Sequence, residues 1–236
     1  MIHILWCTIR PLNFPNWHRG WMDRSKDPSR IKTHVLVSTE EEKKFLEIYF
    51  LKSGFENQIH VFNPPYRGVA LPSYKLSSTL IGQDEDIVVF ASDDFVPPQM
   101  WDVYLGEHLT SCGALIVNDG YQKLDFSNME HPVVSIPIMT YSCLERLGKI
   151  IYHPAYRHLY SDAELYLNLK ELGLLNDIRT GNDPIFEHLH WSNGRREGDS
   201  NDKLYYSHMQ QDKKTWEGRQ KLTLEQRLKV YESYKS

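Results

Sequence analysis

Short apolar runs alternate with amphipathic stretches through the first half of the chain. Ile2–Cys7, His34–Ser38, Ile59–Phe62, Ile87–Ala91 and Ala114–Val117 are rich in Ile, Val, Leu and Phe and are bounded by polar or turn-forming residues. That is the pattern of strands buried on both faces. Between them, Thr39–Ser53 sets Phe45, Leu46, Tyr49 and Phe50 at helical spacing, and Gly54 stops it. Leu71–Ile81 is a less strongly patterned helical segment, and Pro97–Leu109 predicts another with proline in its first turn. Strands alternating with crossover helices predict an α/β fold, Rossmann-like, with a mainly parallel central sheet flanked by helices.

Beyond residue 130 the alternation lapses. Pro132–Pro137 reads as a short extended piece, and Tyr141–Leu147 as a helix ended by Gly148. Ser161–Leu172 is the best-signalled helix, with Leu165, Leu169 and Leu172 on one face, Gly173 at its end, and Ser161 and Glu164 placed for a capping box. The run 193–203 (NGRREGDSNDK) is polar and charged and reads as a loop. Thr223–Tyr234 predicts a terminal helix, with Leu224, Leu228 and Tyr231 on one stripe and Thr223/Gln226 forming a capping box. The expected organisation is a single domain over residues 1–202 and a helical C-terminal extension, 203–236, packed on it.

Composition narrows the class without naming a reaction. The chain has 236 residues, 41% hydrophobic and 25% charged, with a net charge of −4; this excludes a uniformly basic nucleic-acid-coating protein. The charge is uneven: residues 1–32 hold six Arg or Lys against two Asp, and residues 203–236 eight against four acids. Basic ends therefore flank an acidic middle. Three cysteines at unrelated spacings support neither a disulfide framework nor a zinc ribbon. No apolar run reaches the ~20 residues of a membrane span, and no signal peptide opens the chain, so the expectation is a cytoplasmic protein.

The chemistry concentrates in Ile87–Pro98, IVVFASDDFVPP. In open parallel sheets, ligands bind outside the carboxyl ends of the strands. Adjacent carboxylates at such an end resist joint burial unless a cation neutralises them, and Mg²⁺ or Mn²⁺ does so while bridging to a diphosphate. The alternative is that Asp93 or Asp94 only caps the following turn. An N-terminal strand ending in Thr8-x-Arg10-Pro11, a second running into Ser38-Thr39, and a further one into Asp93-Asp94-Phe95-x-Pro-x-x-x-Trp101 resemble the nucleotide-sugar glycosyltransferases of the A-type (GT-A) fold. The likeness is to the large inverting family with an Asp-x-Asp-like motif. It continues through Pro137–Gly148, Tyr160–Leu165 and His188–Trp191.

The resemblance implies a metal-dependent hexosyl- or pentosyltransferase that takes a nucleoside-diphosphate sugar. It implies Asp94 as metal ligand and Asp93 as the neighbour contacting ribose or metal; Ser92 stands where the family has its first Asp, which leaves the division of labour between the two aspartates open. Thr8 and Arg10 match the turn cradling the nucleotide, and Ser38 or Thr39 the base-reading position. Asp162 matches the carboxylate that deprotonates the acceptor hydroxyl. His188 and His190 share one side of a strand, and His190 fits the position of a late-chain metal ligand better. Trp191, Arg195 and Arg196, with Lys203, are expected to contact substrate from a lid.

Two other classes remain. A related nucleotidyltransferase also uses carboxylates and Mg²⁺, but the glycine-free stretch from Thr8 to Arg19 lacks its phosphate loop. A non-catalytic sugar- or nucleotide-binding relative is the third. The acceptor is open, and the basic C-terminal segment admits an acidic one, including a modified base in DNA.

Overall fold

The computed structural model describes residues 1–8, 10–64, 68–109, 112–120, 132–179, 183–189, 194, 197–198 and 207–234. Its centre is a seven-stranded sheet. β1 (Ile2–Cys7), β2 (Ile31–Val37), β3 (Asn57–Val61) and β4 (Ile87–Ala91) run parallel, in the order β3-β2-β1-β4. A two-residue strand, β5 (Phe95–Val96), stands outside this sheet. Beyond β4 the sheet continues with β7 (Ile138–Thr140), then β6 (Ala114–Ile116), then β8 (Leu175–Asp177). β7 is antiparallel to both β4 and β6, while β8 is parallel to β6. β5 pairs antiparallel with β9 (Glu187–His188) in a small second sheet.

Alternating side chains put one hydrophobic core on each face. On one face Ile4, Trp6, Val35, Val89 and Leu115 pack against α1 (Phe14–Asp23), α2 (Glu40–Ser53) and α4 (Trp101–His108). On the other, Leu5, Leu36, Phe90 and Met139 pack against α3 (Ala70–Ser78), α5 (Tyr141–Arg146), α6 (Ser161–Glu171) and α7 (Met209–Arg219). This is the mainly parallel α/β sheet flanked by helices that the pattern predicts. Among the described residues no helix is long and apolar enough to cross a membrane.

Several segments differ from the sequence expectation. The helix expected from Pro97 begins at Trp101, after Met100 in a left-handed conformation (φ 57°), and Phe95–Val96 is strand instead. The extended piece expected over Pro132–Pro137 is not a strand; the strand follows at Ile138. The Ser161/Glu164 capping box does not form. Left-handed Tyr160 (φ 62°) occupies the cap position, Ser161 Oγ donates to the His158 carbonyl, and Arg219 and the Tyr156 hydroxyl take up the Glu164 carboxylate. The Thr223/Gln226 capping box is present, but its helix, α8 (Leu224–Arg227), stops after one turn. Its next carbonyls go to side chains: Arg219 Nη2 donates to Arg227 O and His153 Nε2 lies 3.1 Å from Lys229 O. Tyr231 is consequently exposed.

Candidate active site at the end of β4

The chain steps from β1 outward to β2 and β3 and then returns to β4 on β1's other side. The carboxyl ends of β1 and β4 therefore border the crevice where such sheets bind ligands. Trp6 pairs with Ala91 in register, so the residues just beyond, Thr8 and Asp93, face one another across it. Asp93 accepts hydrogen bonds from Trp6 Nε1 (2.8 Å) and Thr8 Oγ1 (3.1 Å), and Arg10 Nη1 stands 3.8 Å away. Thr8 Oγ1 in turn accepts the Arg10 backbone N–H. Burial pushes the Asp93 carboxyl up to about 6; the Trp6 and Thr8 bonds and the Arg10 charge oppose that rise, and Asp94 adds to it. Asp93 thus locks the β1–β4 seam and orients the Arg10 turn.

Asp94 has a different environment. Ser92 Oγ donates to its Oδ1, and His188 Nε2 lies 3.4 Å from its Oδ2. Ser92, the departure from the triplet pattern, acts here as a donor that fixes the Asp94 carboxylate. The two-strand β5–β9 pairing brings the histidine in: Phe95 and His188 are register partners, and their rings stack at 4.2 Å. Leu189 N donates to Asp94 O, and His188 N donates to Asp119 O.

Asp162 approaches from the start of α6. Burial raises its carboxyl to about 6, the Ala163 N–H and the nearby charge of His188 acting the other way. Buried Tyr152 lies within electrostatic reach of both Asp162 and Asp94; desolvation first, then these two carboxylates, push its hydroxyl upward. Asp94 and His188 are thus in contact, and Asp162 and Tyr152 stand within electrostatic reach of the pair.

Among the described residues no three His, Cys, Asp or Glu side chains converge as a metal site. Asp94 and His188 supply one oxygen and one nitrogen donor, which suits a divalent ion that fills its remaining positions with water and phosphate oxygens. His190, Trp191, Arg195, Arg196 and Lys203 lie outside the described residues. Ser38 sits at the end of β2 with its backbone N–H on Glu42 Oε2, and Thr39 is committed to capping α2. Trp101 is core, donating from Nε1 to Trp21 O. Trp6 and Tyr152 escape a reading of the sequence because both are embedded in apolar runs; of the two late histidines, His190 fits the position implied by the resemblance better, and His188 is the one that stands beside Asp94 among the described residues.

Comparison with family models and with curated proteins finds no match. Solved structures do match. The mannosyltransferase PcManGT from Pyrobaculum calidifontis, in complex with GDP-Man and Mn²⁺, is similar with a TM-score of 0.57 at 12% identity, over 99% of this chain and 81% of that one. TarS 1–349 from S. aureus gives 0.56 at 10% identity, over 95% and 76%. The galactosyltransferase LgtC, in complex with donor and acceptor sugar analogs, gives 0.50 at 12% identity, over 75% and 73%. TarS 1–349 is also known in complex with UDP and with UDP-GlcNAc. The chain has the GT-A-like fold of these proteins.

Proposed function

We propose that the protein is a metal-dependent glycosyltransferase that moves a sugar from a nucleoside-diphosphate sugar to an acceptor hydroxyl, with inversion at the anomeric carbon. The observation that supports this most is the pairing of Asp94 with His188 at the carboxyl end of β4, with Asp162 at the start of α6 within electrostatic reach of His188, in a fold shared with a mannosyltransferase whose structure holds GDP-Man and Mn²⁺. Thr8, Arg10, Asp93 and Ser38 stand at the strand ends where the nucleotide would lie. Trp191, Arg195 and Arg196 are the residues proposed to close over it.

An acceptor hydroxyl is a weak nucleophile, and a carboxylate raised to about 6 by burial is a stronger base than free aspartate while still charged at neutral pH. Asp162 takes the hydroxyl proton as the new bond to the anomeric carbon forms. The bond from that carbon to the diphosphate oxygen breaks, and its electron pair leaves with the nucleoside diphosphate. When bound, Mn²⁺ or Mg²⁺ supplies charge neutralisation for that leaving group; Asp94 would hold it together with His188 or His190. Arg10 adds positive charge on the β1 side.

Incubating the protein with a panel of nucleotide sugars and Mn²⁺ tests this reading. The expected result is slow, metal-dependent donor hydrolysis that Asp94→Ala abolishes and that Asp162→Asn lowers by about 10²-fold or more, the scale of a lost general base. Hydrolysis unchanged in Asp94→Ala would overturn the metal assignment.

A further inference from the structure

Asp212, in the first turn of α7, lies far from Asp162 in sequence yet holds the chain that leads to it. Its side chain is fully buried at 0% exposure. Oδ1 accepts the N–H of Arg157 at 2.9 Å, and Oδ2 accepts those of His158 (2.9 Å) and Leu159 (2.8 Å). Three consecutive backbone donors thus end on one carboxylate. An ionised carboxylate only accepts, so it serves such a cluster; an asparagine in its place turns one oxygen into an NH₂ facing N–H groups.

The loop held this way is closely packed on its other side. A Cβ at Gly68 would stand 2.0 Å from Arg157 O, so the two backbones touch, and Ala70 N reaches the same carbonyl at 3.4 Å. Ser161 Oγ donates to His158 O at 2.8 Å. The next residue, Tyr160, adopts a left-handed conformation that costs an ordinary residue about 1 kcal/mol or more. Its ring lies parallel to that of Trp216, one helical turn beyond Asp212 on α7, at 6.5 Å. That turn delivers the chain into α6 with Asp162 at its second residue.

We propose that Asp212 is a positioning residue for the reaction: by gathering the 157–159 amides it imposes the left-handed turn at Tyr160 and so aims Asp162 into the cleft. The inference rests on the glycosyltransferase reading for the role of Asp162, but not for the hold on the loop.

The test uses the full-length chain with Asp212→Asn, Asp162→Asn and the double variant. Amide hydrogen exchange is the readout that needs no activity. Residues 157–160 are expected to exchange about tenfold faster in Asp212→Asn while the β1 and β4 amides keep wild-type rates. Unchanged protection at 157–160 overturns the proposal whatever the enzyme does. Hydrolysis of the best donor in the panel is the second readout. Asp212→Asn is expected to lower kcat about 10- to 100-fold with donor KM within about twofold, the signature of a displaced catalytic group. The double variant should be no slower than Asp162→Asn, because one residue acts through the other. Additive losses, or a full kcat beside a loosened loop, overturn the proposal. If the wild type turns over no donor, the functional reading fails; loosening confined to 157–160 then still upholds the hold on the loop, and its absence removes that as well.

Discussion

At the scale of single residues, the site is built from carboxylates whose neighbours assign them different work. Asp93 spends its oxygens on Trp6 and Thr8, whereas Asp94 presents itself to Ser92 and His188. Ser92→Ala should therefore weaken Mn²⁺-dependent donor binding by about 10-fold or more, as outer-shell losses do, with the fold intact by circular dichroism; unaltered affinity would remove Ser92 from the site. The histidines make a separate prediction about stability. His18 is wholly buried between Tyr49 and Thr33, and His34 is buried beside His3; burial first, and for His34 also the nearby His3, Lys32 and His60, lowers both to about 3. Each is neutral in the folded protein, while the unfolded chain takes up a proton below about 6.5. Stability is therefore fully present above that pH and declines as pH falls toward 3, by about 1.4 kcal/mol per unit for each residue at most. Urea midpoints from pH 7 to pH 4 should show this slope, and His18→Gln should reduce it. The aspartates were readable because acids at a strand's end stand out against an apolar run. The pairing of Asp94 with His188 was not, because it depends on β5 and β9, two residues each, whose partnership is fixed only in space.

At the scale of elements, the parallel strands and α2 with its Gly54 stop follow directly from periodicity, since the buried positions in them are apolar except for His3, Thr33 and His34. α7 escaped the same reading for a physical reason. Its buried residues, Asp212, Trp216 and Arg219, do fall on one helical stripe, but two of the three are charged. α1 was missed although Phe14, His18, Trp21 and Met22 share its buried face, aromatic residues being as common in strands. α6 and α7 are joined by a buried bidentate pair, Arg219 Nε and Nη2 on Glu164 at 2.8 and 2.7 Å, with the Tyr156 hydroxyl on the same carboxylate. Removing one partner strands a buried charge. Glu164→Ala should cost about 3–5 kcal/mol by urea denaturation, and pairing it with Arg219→Met should recover a substantial part. Equal losses in the single and double variants would show that packing, not the stranded guanidinium, sets the cost.

At the scale of the whole molecule, the sheet places the ends of β1 and β4 side by side, the β5–β9 pair brings His188 to Asp94, and α6 begins with Ser161 and Asp162. The acidic middle of the chain supplies the carboxylates of this crevice, and the N-terminal basic segment supplies Arg10. If the crevice is a donor site, a nucleotide sugar with Mn²⁺ at about 100 times its Kd should stabilise the protein by about 2.7 kcal/mol through mass action alone. Asp94 is proposed to anchor a metal-dependent donor site. Calorimetric titration of UDP- and GDP-sugars tests it most directly, with and without Mn²⁺, on the wild type and on Asp94→Asn. The expected result is saturable binding of at least one donor that requires Mn²⁺ and weakens about 10-fold or more in the variant. Binding that survives both omission of the metal and loss of the Asp94 charge, or no donor binding by the wild type, would contradict it.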